Sequence, residues 1–460
     1  MNNHVSLILI SIFSLFSLFS LFLLPDVNTL VYANEKSNEA FYGFSEKAIY
    51  WQTPSREDGW PQDISYQLQA DAYTYLRYEI FDINGDGLPD RLAVPSENAS
   101  KVDYWWVYLN TGNGFTNDKI KWNAPRVKNE DFQVIRANYN ASAAYGTFYD
   151  LIDMDGDGKA DRVAYKDWVA GGDTLLVYLN TGSGFAQTPI SWASPLIDFG
   201  WMQFPTNKVN QNVYRTIIDM NKDRKPDRVE VGNSTFKGEE FRVSLNTGSS
   251  FSLVPISWYT PEVPMNSWDQ IITDVQSQNG VVRQTIIDMN GDGLPDRVTA
   301  SANLRGNLLV YLNNGNGFDS VPLDWNNPVE DSNTNQGVIN FDNNGNITEL
   351  IDMNGDGLPD KVSAVSTNSR GNKFLKVYLN NGEGFNKTAI YWSTPVVNKD
   401  WYQYPTLTSS TGIYATIIDM NGDGRPDRVT AEAHRPTGKG WLKVYLNMAP
   451  KPTKNMKIKK

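Results

Sequence analysis

Six times in 460 residues the chain returns to one acidic phrase, and this repetition constrains the fold more than any other feature. The copies are FDINGDGLPDRL from Phe81, IDMDGDGKADRV from Ile152, IDMNKDRKPDRV from Ile218, IDMNGDGLPDRV from Ile287, IDMNGDGLPDKV from Ile351 and IDMNGDGRPDRV from Ile418. Their first aspartates lie 64 to 71 residues apart. Two further signals keep step with them. An alternating apolar segment ends in Asn before a Gly-rich turn: WVYLNTGNGF from Trp106, LVYLNTGSGF from Leu176, RVSLNTGSSF from Arg242, LVYLNNGNGF from Leu309, KVYLNNGEGF from Lys376 and KVYLN from Lys443. A short segment ends at Trp51, Trp122, Trp192, Trp258, Trp325 or Trp392, usually with a Pro soon after that stops a strand. Period-two alternation followed by Asn/Gly turns is a hairpin signature, and no unit has a sustained helical period.

Each unit therefore reads as strand, acidic loop, strand, connection, strand, Gly turn, strand. Four antiparallel strands in about 67 residues match the blade of a β-propeller. The expected fold is all-β: a six-bladed β-propeller spanning 41–449, with four-stranded antiparallel blades. The ends of the chain sharpen this reading. The last unit stops after KVYLN, without its Gly-Phe turn and Trp strand. GFSEKAIYW, Gly43 to Trp51, supplies both and has no acidic loop before it. The ring is expected to close by this N-terminal strand completing the last blade, which removes free sheet edges.

Counting each loop from its first Asp, positions 1, 5 and 9 are Asp in every copy and position 3 is Asn or Asp. The candidate ligands are Asp82, Asn84, Asp86 and Asp90; Asp153, Asp155, Asp157 and Asp161; Asp219, Asn221, Asp223 and Asp227. They continue with Asp288, Asn290, Asp292 and Asp296; Asp352, Asn354, Asp356 and Asp360; and Asp419, Asn421, Asp423 and Asp427. Position 7 adds a backbone carbonyl, from Leu88, Lys159, Lys225, Leu294, Leu358 and Arg425. Alternate residues of a tight loop aim their oxygens inward, and calcium takes about six to eight oxygens. Gly at positions 4 and 6 permits the positive-φ turns that wrap the chain. Asp and Asn can also merely cap turns, but six spaced copies with a fixed ninth position favour calcium, up to six ions. An EF-hand fits poorly: it needs flanking helices and Glu at position 12, where only Glu230 conforms. The third loop carries Lys222 and Arg224 in place of the two glycines. A weaker site is expected there, or an empty one held by local ion pairs.

Read together, NGDGLPDRV and VYLNTGNGF resemble the FG-GAP/VCBS type of repeat found in integrin-α-like β-propellers. The phrasing with LNTGNGF is similar to the propeller repeats of B components of insecticidal toxin complexes. The resemblance covers about Gly43 to Asn447. It implies calcium in the loop between the first two strands of each blade, and it carries Asp82, Asn84, Asp86, Asp90 and their counterparts over as ligands. The repeats lack the literal FG and GAP strings, and they number six where integrins have seven. No toxin segment accompanies them, so a toxin role does not carry over.

Residues 1–33 read as a secretory signal peptide, with an apolar run from Val5 to Leu24 and small residues at Val31-Tyr32-Ala33. The lack of Lys or Arg before the run leaves an uncleaved membrane anchor as the alternative. A secreted, extracellular or cell-surface location suits a chain with no cysteine that needs another source of rigidity. Residues 450–460 read as a basic, disordered tail. The formal net charge of −11 argues against a nucleic-acid partner.

No catalytic motif is present, and His434 reads as a surface loop residue. Binding rests on a second aromatic set in the inter-blade connections: Trp60, Trp201, Trp268 and Trp401, with Phe132 in the second unit. Exposed Trp suits a glycan or an extracellular protein ligand, while the bland alternative wedges these rings between blades. The expectation is a monomeric calcium-binding propeller acting as a ligand-binding or adhesion module. A propeller enzyme acting on polysaccharide, as lyase or hydrolase, and a toxin-complex or scaffold component are the alternatives.

Overall fold

In the computed structural model the chain is all-β, with thirty strands and no helix among the described residues. The described residues are 41–450 apart from 54–62, 71–72, 96–101, 127–132, 142–143, 166–173, 196–203, 210–211, 232–239, 262–270, 277–279, 301–305, 329–336, 366–370, 397–401, 410–411 and 432–439. The expected signal segment, the basic tail, His434, Phe132, Trp60, Trp201, Trp268 and Trp401 lie outside the described residues.

The first repeat sets the pattern. An approach strand (Tyr73–Phe81) runs into the acidic loop, and an exit strand (Asp90–Ala93) leaves it. An asparagine strand (Tyr104–Tyr108) and a tryptophan strand (Ile120–Asn123) follow. All pair antiparallel in that order: Phe81 faces Asp90, Leu92 faces Val107 and Trp105 faces Trp122. The last group takes its tryptophan strand from the other end of the chain, Ile49–Thr53, which pairs antiparallel with Gly440–Tyr445.

A fifth strand was not legible in the sequence. Each approach strand is preceded by a lead strand, as Ser65–Ala70 precedes Tyr73–Phe81. The lead strands lie in segments that the sequence reading gave to connections. They join neighbouring groups, because each approach strand also pairs with the lead strand of the next group. Leu76 faces Arg136, Thr147 faces Thr206, Val282 faces Ile339 and Asn346 faces Thr406, while Val213 and Thr273 form a single bridge. Ile413 of the last group faces Ser65 of the first. One approach strand thus serves two partners, its own exit strand beyond a bend and a neighbour before it. The bend is a register shift between lead and approach strand at the same place in all six groups, for example between Tyr66 and Gln67. Bulges turn a strand in this way.

Packing also crosses the group boundaries. The six tryptophans Trp51, Trp122, Trp192, Trp258, Trp325 and Trp392 are 0–1% exposed and belong to the core. In five of the six groups the Phe that ends the turn reaches the tryptophan of the preceding group, and in the remaining one Phe318 meets Phe241. Trp51 and Phe115 stand edge to face at 5.4 Å, and Trp122–Phe185 and Trp325–Phe385 repeat the contact at 6.4 and 6.5 Å. Phe44 does the same to Trp392 at 6.4 Å. The basic residue that follows each loop is buried too. Arg91 bonds the Ile64 carbonyl at 2.8 Å, Arg162 the Pro125 carbonyl at 2.7 Å and Lys361 the Pro328 carbonyl at 2.7 Å.

Close backbone approach explains three glycines in the approach strands. A Cβ on Gly146, Gly345 or Gly412 would run into the carbonyl of Thr206, Thr406 or Ser65 on the neighbouring lead strand. Gly412→Ala should therefore cost about 1–3 kcal/mol, as overpacking does. Urea unfolding measures this, and an unchanged midpoint would contradict the pairing of the last group with the first.

Candidate metal centre

The acidic loops fold as chains of side-chain-to-backbone turns, which short acidic side chains favour. In the first loop Asp82 Oδ1 accepts the Gly85 N–H and Oδ2 accepts the Gly87 N–H, both at 2.8 Å. Asn84 Oδ1 accepts from Asp86 N, and Asp86 Oδ1 accepts from Leu88 N, both at 2.9 Å. The other five loops repeat these bonds, with position 1 accepting from positions 4 and 6 at 2.7–2.9 Å. Positions 4 and 6 have positive φ throughout, and in the third loop Lys222 and Arg224 adopt it at 65° and 68°.

Position 9 closes each loop. Asp90 is fully buried; its Oδ2 accepts from Ile83 N at 3.3 Å and its Oδ1 from Asn110 N at 2.8 Å. The donor Asn110 lies two residues beyond the end of the asparagine strand. Sequence reasoning noted this Asn in every copy without assigning it a role. Its amide Nδ2 bonds two carbonyls, Pro89 at 3.1 Å in its own loop and Met420 at 2.9 Å in the loop of the preceding group. Its Oδ1 accepts from Gly112 N at 2.8 Å. Asn180, Asn246, Asn313, Asn380 and Asn447 make the corresponding bonds.

The loops also abut one another. Position 7 of one loop lies over position 4 of the preceding loop: Lys159 over Gly85, Lys225 over Gly156, Leu358 over Gly291, Arg425 over Gly355 and Leu88 over Gly422. Gly at position 4 thus serves both the turn and this approach. In the third loop Lys222 occupies that position, and its ammonium bonds the Asp292 carbonyl of the fourth loop. Neither Lys222 nor Arg224 pairs with a carboxylate among the described residues, so local ion pairs do not hold this loop. Such pairs occur elsewhere: Lys159 contacts Asp157 and Arg425 contacts Asp423, both at 2.5 Å.

The donor set is all oxygen, which suits a hard cation. In the second loop, carboxylate oxygens of Asp153, Asp155 and Asp161 lie within 4.8 Å of one another. Ligands about 2.4 Å from a shared calcium span at most about that distance. The other loops have Asn at position 3, so they hold the same donors with one carboxylate fewer. At position 1 the Oδ2 oxygen accepts one N–H, from position 6, and keeps a second lone pair.

Burial acts strongly on position 9. Desolvation pushes Asp90, Asp161, Asp227, Asp296 and Asp427 up to about 7, against the pull of the backbone N–H donors. Neighbouring aspartates push the same way. Asp360 is raised well above the ordinary range, and Asp352 at position 1 reaches about 6.

Residues 352–430 match the family model described as "FG-GAP-like repeat". The chain is 27% identical over 187 residues to a T-cell immunomodulatory protein homolog of Plasmodium falciparum (isolate 3D7), and 25% identical over 187 residues to its namesake in Plasmodium yoelii yoelii. Each match covers 38% of this chain and 25% of the relative, so the alignment spans a quarter of the curated relatives' length. Among solved structures, TcdB2–TccC3 aligns at 15% identity with a TM-score of 0.35, over 89% of this chain and 16% of that one. An α-L-arabinofuranosidase of Clostridium thermocellum aligns at 12% and 0.27, over 74% and 97%. An ulvan lyase aligns at 12% and 0.27, over 89% and 95%.

With no metal present, the folded protein keeps protons on the position-9 aspartates between about pH 4 and pH 7 that the unfolded chain releases. The metal-stripped protein should therefore lose stability as pH rises from 5 to 7.5. Urea unfolding at the two values checks this, and a gain in stability would contradict it. Residues 352–430 thus carry an FG-GAP-like repeat, and the other loops share its sequence pattern and geometry.

Proposed function

We propose that the chain is a calcium-binding β-propeller of six blades, closed into a ring, and that it serves as an extracellular module for a glycan or protein ligand. The observation that carries the calcium reading is the common form of the six loops, each presenting oxygen donors and ending on a buried carboxylate. Bound calcium supplies the positive charge that the crowded carboxylates lack. Positions 1, 3, 5 and 9 would hold it, and the N–H donors of the loop orient those side chains. In support of ring closure, Ile413 pairs with Ser65 and Tyr50 pairs with Lys443.

The ligand reading draws on the sequence. Trp60, Trp201, Trp268 and Trp401 fall in the segments that join the strand groups, where a propeller presents its loops. Weak similarity to the T-cell immunomodulatory protein homologs agrees with a binding module.

Native mass spectrometry of the metal-stripped protein in rising calcium should count up to six ions, with one filling last. Sites of this extracellular type bind at roughly 10⁻⁴–10⁻³ M. Each adds about 1.4 kcal/mol of stability at ten times its dissociation constant. No uptake at several millimolar calcium would overturn the reading.

The third loop gives a sharper test. Arg224 in the left-handed region costs about 1–2 kcal/mol, of which the flexibility of Gly returns roughly half. Arg224→Gly should therefore stabilise the metal-free protein by on the order of 0.5–1 kcal/mol and tighten the last site. A loss of stability on that change would contradict the assignment of strain. For the ligand, a glycan array probed with wild type and with Trp201→Ala/Trp401→Ala should show binding that the double variant loses while its thermal unfolding is unchanged. Binding retained by the variant would move the ligand surface elsewhere.

A further inference from the structure

The position-9 aspartates, the asparagines and the backbone of the position-2 residues, which accepts through its C=O and donates through its N–H, form one path that leaves each loop and enters the next. Asp161 of the second loop accepts from the backbone N–H of Asn180 at 2.8 Å. The Asn180 amide donates to the Ile83 carbonyl of the first loop at 2.7 Å. The Ile83 N–H in turn donates to Asp90, which accepts from Asn110 N. The Asn110 amide then donates to the Met420 carbonyl of the sixth loop. The same step recurs at every boundary, and the last one, from Asn246 to the Met154 carbonyl, returns to the second loop. The carboxylates and asparagines along it are at most 5% exposed, and the position-2 side chains are buried.

The residue type at each relay is dictated by this task. Both amide hydrogens of Asn180 are used, on the Ala160 and Ile83 carbonyls, and its oxygen accepts from Gly182 N. Asp in its place has no hydrogens to give, and Leu leaves two buried carbonyls without partners.

We infer that this path couples the loops, so that a cation held in one loop raises the affinity of its two neighbours. The inference rests on the calcium reading above. A cation on Asp161 orders that carboxylate, hence Asn180, hence the Ile83 backbone that opens the first loop. The first loop then has less order left to acquire when its own cation arrives. Coupling of this kind ordinarily changes affinity by about 5- to 150-fold.

The test disables the second loop through side chains outside the path. Asp155→Ala/Asp157→Ala removes exposed or half-exposed donors and leaves Asp161 and Asn180 in place. Calcium titration followed by hydrogen–deuterium exchange reads each loop separately, through the amides of Gly85–Leu88 and their counterparts. The calcium midpoints of the first and third loops should move up by about fivefold or more, while that of the fifth loop stays within twofold. In Asn180→Leu with an intact second loop, the first loop should show the same shift and the third should not. An unmoved first-loop midpoint in both variants overturns the coupling and leaves the calcium reading standing. An equal shift in all five remaining loops also overturns it, because it marks general destabilisation. Absence of calcium-dependent protection in the wild type removes both.

Discussion

Much of this structure depends on a buried carboxylate at the end of each acidic loop. An ionised group out of water must be paired, hydrogen-bonded or bound to metal. Among the described residues Asp90 and its counterparts have no basic partner in hydrogen-bond contact; backbone N–H groups from two segments hold them. One donor is the second residue of the same loop, and the other is the asparagine just beyond a strand, some twenty residues later. The carboxylate thus joins the loop to its own sheet. The asparagine side chain then joins that sheet to the preceding loop. Local loop chemistry and long-range assembly meet in one side chain.

The rest of the architecture follows the same logic of exchange between neighbours. A group of strands that leaves one face open gains stability by placing it against the next group. Here the exchange occurs at four levels: approach strand to lead strand, phenylalanine to tryptophan, basic residue to backbone carbonyl, and loop to loop. The bulge in every lead-and-approach hairpin makes the first level feasible, since it lets one strand serve two neighbouring groups. Glycines at the loop and strand contacts serve the close approaches. The third loop shows the consequence of losing one: Lys222 keeps the turn at a strained φ and fills the gap with a side chain that reaches the fourth loop.

How much of this was legible depended on whether a partner lay inside the repeat. The loops, the asparagine strand and the buried tryptophans could be read because each recurs with its own spacing and pattern. The lead strands could not. SYQLQA, TNKV, DVQ and TLT share no motif, and what makes them strands is pairing with the following strand and, across the boundary, with a neighbour's. Asn110 was visible as the fixed end of VYLN, but its second carbonyl belongs to Met420, 310 residues away. Arg91 and its counterparts were equally visible, as the basic residue after the last loop aspartate in every copy. Their burial is a tertiary fact with no local trace: Arg91, Arg162, Lys361 and Arg428 bond backbone carbonyls, while Arg228 and Arg297 bond the Glu230 and Gln284 side chains. The first position is Asn in all six copies and the second is Arg or Lys, and that constancy is the one local signal of either role.

The central claim is that the six loops are cation sites of one design. The most direct measurement is a crystal structure of the protein grown in calcium, with anomalous scattering collected to mark the ion. The account predicts a peak inside the loops, about 2.3–2.6 Å from oxygens of positions 1, 3, 5 and 9, and weakest in the third loop between Lys222 and Arg224. Loops that keep their hydrogen-bonded form with no anomalous peak at several millimolar calcium would contradict it.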